Sequence, residues 1–163
     1  MTQQTTTDRF QKEIHTFLEE TFDKVHGIYL DKGTSFLETL DAVTAAEASR
    51  RAAAGSGSVA AHVKHVSYYL RVLQQALRGE ALGQLNWREI WEQDRPVSPE
   101  AWKGITDELR GELANLRKLL NEPATWERED AVGESMAVLV HTAYHLGAVR
   151  QALVVIRGRN DAA

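Results

Sequence analysis

An all-α fold, a four-helix bundle with short extra helical turns in its connections, is predicted by three features of this 163-residue chain. Long segments carry apolar residues at three- and four-residue steps, which is the repeat of one helical face. No segment sustains the alternation of a half-buried strand. The three prolines, Pro96, Pro99 and Pro123, stand outside the strongly periodic runs and so leave room for long helices. Four helices of roughly 20 residues, each with one apolar face, bury those faces by packing together.

The first helix is predicted from about Asp8 to Tyr29, through Phe10, Ile14, Phe17, Leu18, Phe22 and Val25, with Gly27 and Gly33 loosening its exit. A short helical piece follows, capped by Thr34 or Ser35 and buried through Phe36, Leu37 and Leu40. Thr44 and Glu47 have the spacing of a capping box for another short turn. Residues 52–58, rich in Ala, Gly and Ser, form a loop within one domain that spans residues 1–163. Ser58 caps the second helix, about Val59 to Arg78, whose stripe is Val59, Val63, Val66, Tyr69, Leu70, Leu73 and Leu77 and whose terminator is Gly79. Gly83 to Val97 is an irregular connection in which Trp87 and Trp91 share a short turn. Ser98, Pro99 and Glu100 are the N-cap, first-turn proline and first-turn acid of the third helix, which runs to about Asn121. The fourth runs from about Val132 to Arg157 and closes at Gly158.

The composition, 43% hydrophobic and 26% charged, is that of an ordinary globular chain. A net charge of −4 with no basic stripe disfavours nucleic acid as a partner. The chain has no cysteine, which excludes disulfides, thiolate metal sites and a cysteine nucleophile. No basic-then-apolar segment opens it, and no apolar run approaches the roughly 20 residues of a membrane span, so a cytoplasmic protein without membrane association is expected.

Function is best read from the histidines. His141 and His145 lie four residues apart in an apolar helix, on one face and about 6 Å apart along the axis. His62 and His65 form a second pair in another apolar helix, so four of the six histidines sit on two helices that can face each other. Neutral imidazole offers a nitrogen lone pair to zinc, nickel, iron or copper. Three such ligands leave positions for water or substrate. Both His65 and His62 qualify as the third ligand. His65 is preferred because position 62 lies about one turn away, which leaves His62 as an alternative ligand, a supporting group or a surface residue. Glu134, Tyr144 and Arg150 are candidates to orient an imidazole, move a proton or hold an anionic substrate, against plainer roles as a first-turn acid, a core or interface aromatic and a surface ion-pair partner. Trp87 and Trp91 either line the mouth of the site or plug the end of the bundle, and Trp102 and Trp126 read as packing. His15 and His26 read as residues of a solvated or partly buried helix surface.

These residues resemble the DinB-like (DinB/YfiT-like) superfamily. The run from His141 through His145 to Arg150 and Gln151 is similar to the family's fourth-helix pattern, and Ser58 to Val66 to its second-helix pattern, which places the ligand at His65. Tyr29 to Asp31 and Leu37 to Leu40 also look like one branch of the family. The extra His62 departs from the pattern. The resemblance implies a four-helix bundle, one divalent metal held by His65, His141 and His145, and a homodimer. It also implies a metalloenzyme class that includes thiol transferases using bacillithiol or mycothiol, a maleylpyruvate isomerase and hydrolases. The expectation is a metal-dependent enzyme acting on a small molecule, as a thiol transferase with an external low-molecular-weight thiol or as a hydrolase, with no catalytic residue assigned. The alternative is a non-catalytic metal-binding or dimeric interaction bundle.

Overall fold

The computed structural model describes residues 2–160, and the side chains of residues 6–158. Its elements are α1 (Thr2–Phe22), α2 (Phe36–Asp41), α3 (Ala45–Ala48), α4 (Val59–Leu77), α5 (Glu89–Glu92), α6 (Pro99–Leu120), a 3-10 turn (Pro123–Glu127) and α7 (Ala131–Asn160). Its regular elements are all helical; among the described residues the nearest thing to a strand is an isolated bridge between Arg51 and Ser58. Of the four long helices, α4 packs against both α6 and α7, and α1 packs against α7. The Arg117–Asp23 ion pair and a 2.9 Å bond from Gln11 Nε2 to the Leu120 carbonyl tie α1 to the end of α6. Leu18, Phe22, Phe36, Val63, Leu70, Leu109, Leu116, Val149 and Ile156 are buried in one continuous core.

Most helix starts follow their capping chemistry. The Ser58 hydroxyl accepts from Ala61 N–H at 3.1 Å, and the Ser98 hydroxyl from Ala101 N–H at 3.2 Å. Thr44 and Glu47 close the predicted box: Glu47 N–H donates to Thr44 Oγ1 at 3.2 Å and Thr44 N–H to Glu47 Oε2 at 2.8 Å. Ser35 rather than Thr34 heads α2, donating from its hydroxyl to Glu38 Oε2 at 2.7 Å. Gly79 ends α4 with a φ of +71°, a conformation glycine adopts without penalty.

Three expectations need correction. The first helix begins at Thr2, ahead of Asp8, and stops at Phe22 instead of continuing to Tyr29. Beyond it the chain wraps around the fully buried Glu20 carboxylate: Oε2 accepts from His26 and Ile28 N–H at 3.0 and 2.9 Å, and Oε1 from Tyr29 and Leu30 N–H at 2.7 and 2.8 Å. Amides that a longer helix would turn toward its own carbonyls are taken by this side chain, and Gly27, at φ +84°, makes the reversal. The last helix passes through Gly158 to Asn160, because Gly158 keeps an ordinary helical φ and costs only about 1 kcal/mol relative to alanine there. Trp87 lies ahead of the short turn that holds Trp91 instead of sharing it.

Burial alone would raise the Glu20 pKa, but the four amide donors outweigh it and hold the carboxyl at about 2. The folded pKa lies below the ordinary 4.5, so this stabilisation is complete above pH 4.5 and is lost as pH falls toward 2. Glu20→Gln places an amide against several N–H donors and is expected to cost about 3 kcal/mol in urea unfolding at pH 7. A loss below about 0.5 kcal/mol would show that the carboxylate does not hold this turn.

Candidate metal centre

The register of α4 against α7 brings the two histidine pairs together. One ring nitrogen from each of His65, His141 and His145 lies within 4.8 Å of the others. His65 Nε2 and His141 Nε2 are 3.1 Å apart, and His62 Nδ1 and His145 Nδ1 are 2.9 Å apart. Nitrogens bound to one zinc ion at about 2.0–2.1 Å stand about 3 Å or slightly more from each other. The His65–His141 pair therefore already has ligand-to-ligand spacing. The donor set also fits a divalent ion chemically: three imidazoles, two of them buried and one half-buried.

Aromatic rings pack around the cluster. Tyr69 stacks flat on His141, with ring centroids 3.6 Å apart and planes at 12°. The Trp91 ring centroid is 5.1 Å from His62, 5.0 Å from His65 and 6.3 Å from His145. Trp87 packs on His65 and Tyr68, at 5.8 and 5.1 Å. The connection carrying these tryptophans is anchored to the start of α4 by buried Asp94, which accepts from Ser58 N–H at 3.0 Å and Ser58 Oγ at 2.6 Å and pairs with Arg51 at 3.0 Å. Gly57 lets the Trp91 ring lie on the backbone, since a Cβ there would stand 2.8 Å from Trp91 Cε3.

Burial, followed by the neighbouring imidazoles, depresses the histidines. His141 is pushed down to about 4 by burial and then by His65. His145 is pushed down to about 3 by burial and then by His141, His65 and His62. His65 is lowered by burial, and His62 by burial and His65 against an opposing effect of Asp94. At neutral pH the cluster is uncharged, the state in which imidazole ligates a metal.

The structure thus gathers His65, His141 and His145, sets His62 beside His145, and puts Trp87 and Trp91 over the rings. The other candidates stand outside the group of three nitrogens. Glu134 has a buried Oε2 without a hydrogen-bond partner among the described residues, and burial raises its pKa. Tyr144 is 71% exposed, so it is not a core residue, although its ring edge meets His145 at 5.0 Å. Arg150 is half-buried and forms no ion pair among the described residues. Trp102 is core, donating from Nε1 to the Val43 carbonyl at 2.9 Å, and Trp126 packs edge-on against Phe10. His26 is exposed beside Glu19, whereas His15 is half-buried with an unpartnered Nε2 among the described residues. Tyr69, read from sequence as a stripe residue, belongs to the site. Its position four residues after His65, on the same helical face, is the signal that marks it.

Fold and site together define an all-helical protein with a three-histidine cluster able to hold a metal ion. The chain belongs to the DinB superfamily, whose family model matches residues 32–149. Comparison with curated proteins and with solved structures gives no match.

In the metal-free protein the depressed histidines link stability to pH. Their folded pKa values lie below the ordinary 6.5, so the unfolded chain binds more protons in this range. Their contribution is complete above about pH 6.5 and falls away as pH drops toward 4. Urea unfolding at pH 7 and pH 5 is expected to show this loss in the wild type and a smaller one after replacing His141 and His145 with Gln. Equal losses would contradict the assignment.

Proposed function

We propose that this protein is a metal-dependent enzyme of the DinB type that acts on a small molecule in the cytoplasm. In this reading its long helices form the family's four-helix bundle, and His65, His141 and His145 bind one divalent ion, zinc, nickel or iron. The observation that carries the reading is the convergence of these three imidazoles from α4 and α7 beneath an aromatic wall. Three protein ligands leave positions for water and substrate, as catalytic zinc sites do. A divalent ion held there supplies Lewis acidity, which brings the pKa of a coordinated water or thiol toward neutrality. Trp87, Trp91 and Tyr69 limit water around the imidazoles and offer an apolar surface to the substrate body. With no cysteine in the chain, a thiol must arrive as a second substrate, so thiol transfer needs an external low-molecular-weight thiol while hydrolysis needs only water.

Metal analysis after reconstitution is expected to give about one ion per chain. His65→Ala, His141→Ala and His145→Ala should each lower occupancy at least tenfold while leaving the helical circular dichroism intact. A reconstituted wild type without metal would sink the reading. Metal bound without turnover, across thiol-transfer and hydrolytic substrates, would favour the non-catalytic module instead.

The proposal includes a homodimer. The face of α7 turned away from the core is apolar, with Val140 67% and Val154 65% exposed. A groove of about 320 Å³ between α1 and α7, lined by Phe10, Ile14, Phe17, Met136 and Val140, adjoins it. Continuous exposed apolar surface of this kind marks an interaction site. Val140→Glu is expected to shift the protein from dimer to monomer in light scattering at micromolar concentration. A wild type that is already monomeric there would remove the dimer from the proposal.

A further inference from the structure

His62 is the histidine that the metal site does not absorb. It lies outside the group of three nitrogens. Two nitrogens bound to one ion at about 2.1 Å are never more than about 4.2 Å apart, and as placed His62 offers no nitrogen within 4.8 Å of all three, so it is not poised as a ligand. It is nonetheless fixed against that cluster. Its Nδ1 is 2.9 Å from His145 Nδ1, and the rings are tilted at 55° with centroids 5.2 Å apart. Trp91 braces it edge-on from the other side, at 5.1 Å and 74°.

A contact between two Nδ1 atoms requires one proton shared between one donor and one acceptor. A neutral imidazole with its proton on Nδ1 has its lone pair on Nε2, and the reverse tautomer has none there. The other two ligands have no such partner: His65 Nδ1 and His141 Nδ1 are buried without a hydrogen bond among the described residues. We propose that His62 is a positioning residue, whose Nδ1 accepts the Nδ1–H of His145 and so holds His145 in the tautomer that presents Nε2 to the metal. The inference takes its purpose from the metal reading above, but the hydrogen bond itself belongs to the metal-free protein.

The test uses the full chain with zinc alone as probe. Competition titration against a chromophoric chelator is expected to show roughly 10- to 100-fold weaker zinc binding in His62→Ala, with about one ion per chain at saturation. His62→Gln, whose side-chain carbonyl also accepts a hydrogen bond, should recover to within about threefold of wild type. A purely structural role would not be rescued this way. Unchanged affinity in His62→Ala overturns the proposal. So does loss of the ion as complete as in His65→Ala without rescue by Gln, which would make His62 a ligand. A second readout needs no metal: long-range ¹H–¹⁵N spectra of the metal-free protein should show His145 as the Nδ1–H tautomer in wild type and a mixture in His62→Ala. An Nε2–H tautomer in wild type overturns the proposal. A wild type that binds no zinc but shows the Nδ1–H tautomer keeps the positioning contact while rejecting the metal reading.

Discussion

Packing α4 along α7 joins the core and the site in a single contact. The helices meet through buried aliphatic side chains, and the same meeting sets His65 Nε2 3.1 Å from His141 Nε2 and His62 Nδ1 2.9 Å from His145 Nδ1. Helical geometry places each pair on one face, but only the relative rotation and translation of the two helices make the pairs converge. A slide of one residue along the axis, about 1.5 Å, is half the spacing between facing nitrogens and would break both contacts. The aliphatic core that locks this register is therefore as important to the site as the histidines themselves.

Gathering imidazoles in a buried place has an energetic consequence. Each resists protonation because burial desolvates it, and His141 and His145 further resist because neighbouring imidazoles would repel a second charge. The cluster is thereby kept neutral, the state in which imidazole can ligate a cation. Glu20 is the opposite arrangement. Its burial opposes ionisation too, yet four backbone amides reverse the balance, and the carboxylate becomes a fixed anchor for the turn after α1. Burial is answered at Glu20 by four amides, and at the histidines by their remaining neutral.

The aromatic wall depends on a separate set of small contacts. Asp94 grips the start of α4 through Ser58, and the connection it anchors carries Trp91 back over the histidines. Gly57 leaves the space in which that ring lies. The irregular segment between α4 and α6 thus has a defined role despite containing only a single short turn of helix.

The helical class, the start of each capped helix and the two histidine pairs were all legible in the chain, because periodicity, capping residues and a four-residue spacing are local properties. The preference for His65 over His62 as the member of the cluster could also be reached locally, through the one-turn offset between them. The end of α1 was not legible: it is set by Glu20 reaching amides up to ten residues ahead, and no periodic pattern encodes that. Nor were the stacking of Tyr69 on His141 or the contact between His62 and His145, and the choice between Trp91 lining the site and plugging the bundle end is decided only by its packing on the histidines. Each of these joins residues on different elements, so it exists only once α4, α7 and the connection are packed together. Sequence by itself determined the helices and the chemistry they carry; tertiary packing alone decided which imidazoles meet, because their distances depend on the relative placement of the elements rather than on spacing within any one of them.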